Sequence, residues 1–344
     1  MTLYEVDPLL DSRWLDFVKH HRAGSLFHTP QWLNALKRTY GFSPVALTDS
    51  APGTGLKNAL LFCRVSSWMT GRRLVSLPFS DHCEPLAESA DTLASLLTSL
   101  VDCSEREGRY IELRAIEDLP RTTAFVPTAV YCLHTIDLRP ELAQIFKSFH
   151  PSHTQRAIRK AERLRLTCEV GSSRALLAEF YALHGLTRRR HGTPIQPFAW
   201  FENLAEALGD RLRAYVARYE GQPVAAIMTA VHNHTLVYKY GCSNTSFNRF
   251  GGTPLLFWKA IQDAKSEGLH TFDLGRSDLS NPGLIQFKDH LGAARTSLTY
   301  YRHPATGRPV NWSSPSAGRT GRAFSLLPLR LQSSLSGHLY RHFA

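Results

Sequence analysis

The chain has 344 residues, of which 43% are hydrophobic and 20% charged, a composition typical of folded globular proteins with more than one domain. Its net charge is +11, but seven Arg and no Lys, Asp or Glu follow position 294, so the remainder carries 33 basic and 29 acidic residues. No run of 18 apolar residues occurs and the first residues are acidic, which argues against a spanning helix or signal peptide and predicts a cytoplasmic protein.

The six cysteines lie far apart and form no CxxC pair, which argues against a zinc ribbon or an iron–sulfur cluster. We expect reduced, mostly buried thiols. His232 and His234 flank a turn and have no acidic partner at ligand spacing. The sequence therefore predicts no metal site.

The first half alternates helices with short strands, which predicts a mixed α/β layer domain. Thr29 followed by Pro30 is typical of a helix start, with Thr29 as the N-cap. The predicted elements are helices at 11–21, 30–39 and 91–107 and strands at 43–49, 58–65, 73–77, 109–114 and 129–137.

The second half repeats a similar order of elements without repeating the sequence, which predicts two related domains. The turn signals at Gly221 and Asn233 favour an antiparallel meander of three strands. The predicted elements are helices at 152–166, 172–190, 197–208 and 253–268, strands at 211–219, 223–232 and 235–242, a strand from Thr271, a helix carrying Lys288 and a last strand at 294–302.

The domain boundaries that we predict are 1–148 for the first domain and 149–305 for the second, with a basic linker and an amphipathic segment at 306–344. Apolar residues (Phe324, Leu326, Leu327, Leu329 and Leu331) lie among arginines in the segment 322–343. This pattern fits peripheral contact with an anionic membrane surface, and it fits equally a helix docked on the protein itself.

A basic helix face is predicted where the two halves meet. Arg156, Arg159, Lys160 and Arg163 recur at helical spacing within 152–166. Such a face is usually solvated, and the functional alternative is contact with a phosphate group or with tRNA.

The stretch from Thr271 to Leu291 collects cations and hydroxyls where a strand ends and a helix begins, which is where α/β proteins hold ligands. Arg276, Ser277 and Lys288 are its candidate functional residues. The alternatives are that Arg276 pairs with Asp273 or Asp278 and that Lys288 is an exposed helix lysine.

The order of several short motifs resembles the FemA/FemB family of aminoacyl and acyl transferases, whose members carry two domains of the GNAT acetyltransferase fold. The more specific likeness is to the bacterial branch associated with exopolysaccharide or cell-envelope synthesis. The motifs that carry the resemblance are His28 to Trp32, Leu77 to Asp81, Ile158 to Arg163, Arg190 to Gly192, Tyr238 to Gly241, Asp273 to Ser277 and Phe287–Lys288.

The resemblance implies roles for residues in these motifs. Lys288 would take part in transfer, with Arg276 stabilising charge and Tyr240 protonating a leaving group, although aromatic residues in strands are more often core. By period two, Tyr238 and Tyr240 share one face of their strand. The implied substrate-binding residues are Lys37, Trp32, Asp81, Arg190, His191, Lys239, Ser277 and Phe287.

The donor is either an acyl-CoA such as acetyl-CoA or an aminoacyl-tRNA. CoA-dependent GNAT enzymes hold the pyrophosphate with a glycine-containing loop before a helix N-terminus. The equivalent place here offers Arg249, Gly251, Gly252 and Thr253, but Thr253 replaces a small residue and Pro254 removes an amide donor. No coiled-coil arm for tRNA is present in the sequence.

The sequence thus predicts an N-acyltransferase acting on an amino group of a cell-envelope or exopolysaccharide precursor. One alternative keeps the fold but uses aminoacyl-tRNA and a peptidoglycan precursor. The other is a non-catalytic factor for the binding or assembly of envelope polysaccharide. A Ser-His-Asp mechanism has no support because no GxSxG-type turn occurs.

Overall fold

The computed structural model describes residues 1–67, 71–107, 110–120 and 124–303. Contacts divide it into two units: Met1–Tyr131 together with the strand residues from Ser297 onward, and Cys132–Thr296. The sequence-based boundaries at 148/149 and 305/306 stay predictions, and the amphipathic segment 322–343 with its membrane contact lies outside the described residues. None of the described helices is long and apolar enough to span a membrane.

Unit 1 is a twisted sheet with helices, in the mixed α/β arrangement that the sequence predicts. Its sheet order is β1-β2-β3-β4-β5-β12, antiparallel except between β4 and β5. The elements are β1 (Tyr4–Val6), α1 (Arg13–His20), α2 (Pro30–Tyr40), β2 (Ser43–Thr48), β3 (Ala59–Ser67), β4 (Gly71–Val75), α3 (Ala90–Glu107), β5 (Tyr110–Ala115) and the later strand β12 (Ala294–His303).

The helix start at Thr29 is confirmed. The Thr29 hydroxyl accepts a hydrogen bond from the Trp32 backbone N–H at 3.3 Å, and Gly41 ends α2 in the left-handed conformation. The side of α2 that faces the core buries Trp32, Leu33 and Leu36 completely. A second apolar cluster, centred on Phe62, Leu97 and Ile111, fills the space beneath α3.

Unit 2 is built on the sheet order β6-β11-β10-β9-β8-β7. The meander β8-β9-β10 is antiparallel, as predicted, and β10 and β11 run parallel with α8 between them in the chain. The elements are β6 (Val126–Asp137), which begins in unit 1, α4 (Leu142–Ser148), α5 (Arg156–Arg163), β7 (Thr167–Gly171), α6 (Arg174–Arg190), α7 (Phe198–Leu208), β8 (Leu212–Tyr219), β9 (Gln222–His232), β10 (Thr235–Ser243), α8 (Gly252–Ser266), β11 (Thr271–Asp278) and α9 (Pro282–Asp289).

The core of unit 2 lies between the sheet and helices α5 and α8. Its fully buried members include Phe257 and Ile261 of α8, Ile158 of α5 and Phe272 of β11. The predicted helix at 152–166 is in fact two elements, because Pro151–Gln155 forms one wide π-helical turn before α5 begins. Such turns occur mostly inside helices and frequently at functional sites.

Candidate active site

A gap between two parallel strands organises the candidate site. The β10–β11 ladder covers Thr235↔Thr271 to Val237↔Asp273 and ends there within the described residues. Beyond it, β10 continues to pair with β9 as far as Ser243, and β11 continues to Asp278. The carboxyl halves of β10 and β11 are therefore separate, which places a crevice where open α/β sheets bind ligands.

A β-bulge at Lys239 turns the end of β10. Tyr238 pairs with Thr229, whereas Tyr240 pairs with the adjacent Met228, so Lys239 is the extra residue. Because neighbouring residues of β9 point to opposite faces, the two tyrosines do as well. The prediction that they share a face is wrong, since a bulge breaks the period of two.

The two tyrosines accordingly have different surroundings. The Tyr238 ring lies 4.9 Å from that of Phe257 in α8, which in turn lies 5.5 Å from Phe287 in α9. The Tyr240 hydroxyl accepts a 2.8 Å hydrogen bond from the Trp200 indole N–H. Tyr238 is therefore the tyrosine on the side of the Phe287–Lys288 pair. The catalytic role of Tyr240 stays a prediction.

Lys288 is a buried cation at the crevice. Its side chain is 2% exposed, and its ammonium group donates to the carbonyl oxygens of Gly275 at 2.8 Å and Arg276 at 3.1 Å. Burying a charge is costly unless hydrogen bonds compensate for lost water. Lys288 is thus no exposed helix lysine, and its charge is fixed against the carboxyl end of β11.

The end of β11 carries further polar groups. Ser277 is 1% exposed, and its hydroxyl has no hydrogen-bond partner among the described residues. A carboxylate oxygen of Asp273, which is 7% exposed, accepts the Gly275 backbone N–H at 2.7 Å. Arg276 is half-buried. The structure therefore brings Lys288, Arg276, Ser277 and Phe287 together around one strand end.

A cluster beside Lys288 was not predicted from the sequence. His134 on β6 is fully buried, and its Nε2 lies 3.3 Å from a carboxylate oxygen of Asp289. Burial and then the nearby Lys288 charge lower the pKa of His134. Burial raises the pKa of the Cys132 thiol on the same strand. His134 is therefore neutral near pH 7 and Cys132 is a thiol, which is not the nucleophilic form of cysteine.

The end of α6 reaches the end of β10. The Ser243 backbone N–H donates to the Thr187 hydroxyl at 3.1 Å. Burial raises the pKa of the Cys242 thiol, and the nearby Arg190 charge lowers it by less. Arg190 and His191 are exposed there. Partial burial, then repulsion from Arg190 and Arg188, lowers the pKa of His191.

The predicted donor loop is packed within unit 2. Gly251, with φ at +81°, is the N-cap of α8, and a Cβ atom on it would lie 2.3 Å from the Ala157 carbonyl oxygen of α5. A Cβ on Gly252 would lie 3.2 Å from Ala225. Thr253 is half-buried and Arg249 is exposed, its guanidinium 5.0 Å from the Phe250 ring. The packing explains both glycines, and their role toward a pyrophosphate stays a prediction.

The remaining predicted substrate-binding residues lie in different places. In unit 1, Trp32 is fully buried against Phe27, Lys37 is exposed on α2, and the Asp81 carbonyl accepts the Tyr300 hydroxyl at 2.8 Å. In unit 2, the Lys239 ammonium lies 5.7 Å from the Tyr240 ring.

The predicted basic face is real and exposed. Arg156, Arg159, Glu162 and Arg163 surround a shallow surface depression of about 610 Å³ on α5. The three arginines are exposed, and Arg159 lies over the Phe146 ring at 5.5 Å. Three cations around a depression suit an anionic ligand such as a phosphate group.

The ring of His184 packs against that of Tyr240, and the burial of His184 leads us to expect that stability depends on pH. Burial, then the Arg188 charge, lowers the His184 pKa to about 3. The unfolded chain, with a normal His pKa, therefore binds more protons than the folded protein between pH 6.5 and 3, so stability falls as pH falls. We expect the free energy of unfolding to drop by about 2 kcal/mol from this group between pH 7 and pH 5.

Urea unfolding at several pH values checks this expectation. The His184→Gln variant should lose this part of the pH dependence, whereas His20→Gln, on the exposed end of α1, should keep it. Equal pH slopes for the wild type and His184→Gln would contradict the assignment.

A protein-family model matches part of the second half of the chain. Residues 150–289 match the family model described as an acetyltransferase (GNAT) domain, so the second half carries a domain of the GNAT acyltransferase type. No curated protein has a sequence that matches this chain.

Three solved structures show the same fold. FemX has a TM-score of 0.67 at 13% identity, covering 87% of this chain and 97% of its own. L-PGS from Bacillus licheniformis has a TM-score of 0.54 at 14% identity, covering 95% and 98%. A tandem GNAT protein from the clavulanic acid biosynthesis pathway has a TM-score of 0.54 at 11% identity, covering 88% and 98%. The predicted tandem GNAT-like fold is confirmed.

Proposed function

We propose that this chain is an N-acyltransferase that moves an acyl group from a CoA thioester to an amino group of a cell-envelope or exopolysaccharide precursor. The observation that carries the proposal is the buried Lys288 ammonium beside the crevice between β10 and β11. An extended donor with amide groups, such as the pantetheine arm of CoA, would pair with the strand backbones that the crevice separates.

The reaction needs an amine nucleophile and a stabilised oxyanion. The neutral acceptor nitrogen attacks the thioester carbonyl carbon, a C–N bond forms and the C–S bond breaks. The nitrogen loses one proton and the leaving thiolate gains one. The Lys288 charge would oppose the negative charge that develops on the carbonyl oxygen, and a single such donor is worth about 10²–10³ in rate.

Transfer in one step fits five of the six cysteines of this chain, the exposed Cys103 being the other. Burial raises the pKa of Cys63, Cys83, Cys132, Cys168 and Cys242. An acyl-cysteine intermediate requires a thiolate, so these thiols do not favour one. The acceptor amine would then attack the donor directly.

The acceptor would bind near the exposed Arg190 and His191, where cations suit the phosphates of an activated precursor. Lys239 and Ser277 would contact it at the crevice. Trp32, Lys37 and Asp81 of unit 1 stay predictions as acceptor-binding residues.

Aminoacyl-tRNA is the alternative donor, and two observations favour it. The exposed arginines of α5 form a basic surface of the kind that binds nucleic acid backbones. The two glycines at the start of α8 are buried against α5 and β9 instead of forming an open loop. In this case the acceptor would be a peptidoglycan precursor and the acyl group an amino acid.

The deciding experiment incubates the full chain with radiolabelled acyl-CoAs, or with charged tRNA, in the presence of amino-sugar and peptidoglycan-precursor acceptors. Label transferred from acyl-CoA to an amino group is the expected result. Label transferred from tRNA alone would establish the alternative donor. If calorimetry detects acceptor binding but neither donor binds or reacts, the chain is a non-catalytic factor and the proposal fails.

A further inference from the structure

Three histidines from two distant segments meet in unit 2. His150 directly precedes the π-helical turn Pro151–Gln155, His153 lies within that turn, and His290 is the C-cap of α9. The ring centroids are 4.6 Å apart for His150–His153, 4.3 Å for His150–His290 and 4.6 Å for His153–His290. One ring nitrogen of each lies within 4.8 Å of the others.

The backbone holds the two segments together. The His150 N–H donates to the His290 carbonyl at 2.9 Å, and the Thr154 hydroxyl donates to the same carbonyl at 2.8 Å. The Thr154 N–H also donates to the His150 carbonyl at 3.0 Å. The paired main chain and the widened helical turn thus bring the three histidines to one place in the fold.

One imidazole nitrogen of these three histidines has no hydrogen-bond partner in the part of the chain that the structure describes. The Nδ1 atom of His150 is buried and has no hydrogen bond within the described residues. A buried polar atom is stabilised by a partner, and a metal ion held by the three histidines would supply one. His153 is exposed, so an ion has an entry path from solvent.

We propose that His150, His153 and His290 bind one divalent transition-metal ion such as Zn²⁺, Co²⁺ or Ni²⁺, with solvent at the remaining coordination position. Three neutral imidazoles without carboxylates suit these ions and disfavour Mg²⁺ and Ca²⁺, which prefer oxygen ligands. Metal–nitrogen bonds of about 2.0–2.1 Å require the nitrogens to move closer on binding, and the exposed His153 side chain has room to do so.

The bound ion would tie the turn after α4 to the end of α9. His290 is two residues after Lys288, so the ion would restrain the helix that carries the proposed transfer residue. The site itself does not depend on the proposed function, because binding is measured without any substrate.

The sequence did not reveal the site because His150 and His290 are far apart in the chain and the HxxH spacing of His150 and His153 carries no strong signal by itself. A second stacked pair, His234 and His270 at 4.5 Å, offers only two imidazoles and serves as a matched comparison.

The test uses the full chain without a histidine tag, stripped of metal by a chelator. Titration with Co²⁺ is followed by visible absorption, and Zn²⁺ affinity is measured by competition with a chromogenic chelator. We expect one ion per chain. The variant His153→Asn removes an exposed residue that would bind the ion directly. It should weaken Zn²⁺ binding by at least about 10-fold, because even the residues that hydrogen-bond to metal ligands contribute about 10–100-fold.

The control variant His234→Asn should bind like the wild type. The variant His290→Asn should weaken binding as His153→Asn does, and circular dichroism checks that the His290→Asn protein is folded. If that protein is unfolded, His153→Asn alone decides, because the His153 side chain is exposed and its replacement does not disturb the core. The proposal is overturned if no ion binds at protein-equivalent concentrations, if His153→Asn binds as tightly as the wild type, or if His234→Asn abolishes the binding.

Discussion

Replacing Lys288 by Met should lower the rate of acyl transfer by about 10²–10³-fold, the loss typical of one oxyanion-stabilising group. Met keeps most of the volume of the Lys side chain and removes its charge. The ammonium group is almost fully buried and is held by the Gly275 and Arg276 carbonyls, so it is already in place before a substrate arrives. The measurement is kcat and KM for the labelled donor identified in the transfer assay.

A purely structural role for Lys288 must be separated from this effect. Loss of the ammonium leaves two strand carbonyls without their donor, which would destabilise the fold by about 1–3 kcal/mol. Urea unfolding measures that cost independently. A lower kcat in variant protein that is still folded at the assay temperature, with KM for the donor unchanged, indicates a contribution to the transition state.

Lys265 provides the matched control. It also donates to a backbone carbonyl, that of Arg139 at 2.9 Å, but the side chain is only half-buried on α8 and this hydrogen bond is exposed. Lys265→Met should leave transfer within about twofold of the wild type, since exposed charge contacts contribute little. Transfer by Lys288→Met at the wild-type rate would remove Lys288 from the site.

Replacing Gly251 by Ala should destabilise unit 2 by about 2–5 kcal/mol. The φ angle of +81° costs a residue with a Cβ about 1–2 kcal/mol. The added carbon would also lie 2.3 Å from the Ala157 carbonyl oxygen, so α5 must shift, and such overpacking costs about 1–3 kcal/mol more. Thermal and urea unfolding of the full chain measure the loss.

Gly221 isolates the backbone contribution to that loss. It lies in the turn between β8 and β9 with φ at +78°, and a Cβ on it would meet no atom within 4 Å. Gly221→Ala should therefore cost only the conformational part, about 1–2 kcal/mol. If the two variants are equally stable, the close approach of α5 to the start of α8 is not what requires Gly251.

Regular periodicity explains which elements could be predicted. The long helix α6 begins after its Ser173 cap and ends at Arg190, close to the predicted 172–190, because apolar spacing and the terminal signals agree. The short elements α4 and β7 were missed. The seven residues of α4 make only about two turns, and β7 has no buried residue, so neither shows a clear apolar period.

The sequence predicted only those residues of the candidate site that are neighbours in the chain. The cations and hydroxyls of 271–291 are adjacent in the chain, so their concentration at a strand end was visible. The burial of Lys288 and the contact of His134 with Asp289, 155 residues away, depend on tertiary packing. The bulge at Lys239 leaves no mark in composition, and it puts Tyr238, and not Tyr240, on the side of the sheet where Phe257 and Phe287 pack.

The placement of β12 has a consequence for synthesis of the protein. Tyr300 pairs with Arg114 of β5, and Tyr301 is buried in the core of unit 1, although both follow the whole of unit 2 in the chain. A nascent chain on the ribosome thus cannot finish the first unit when residue 131 emerges. The edge of β5 stays unpaired while about 170 further residues are synthesised at roughly 5–20 residues per second. During that time a chaperone can bind the edge, or another strand can pair with it wrongly.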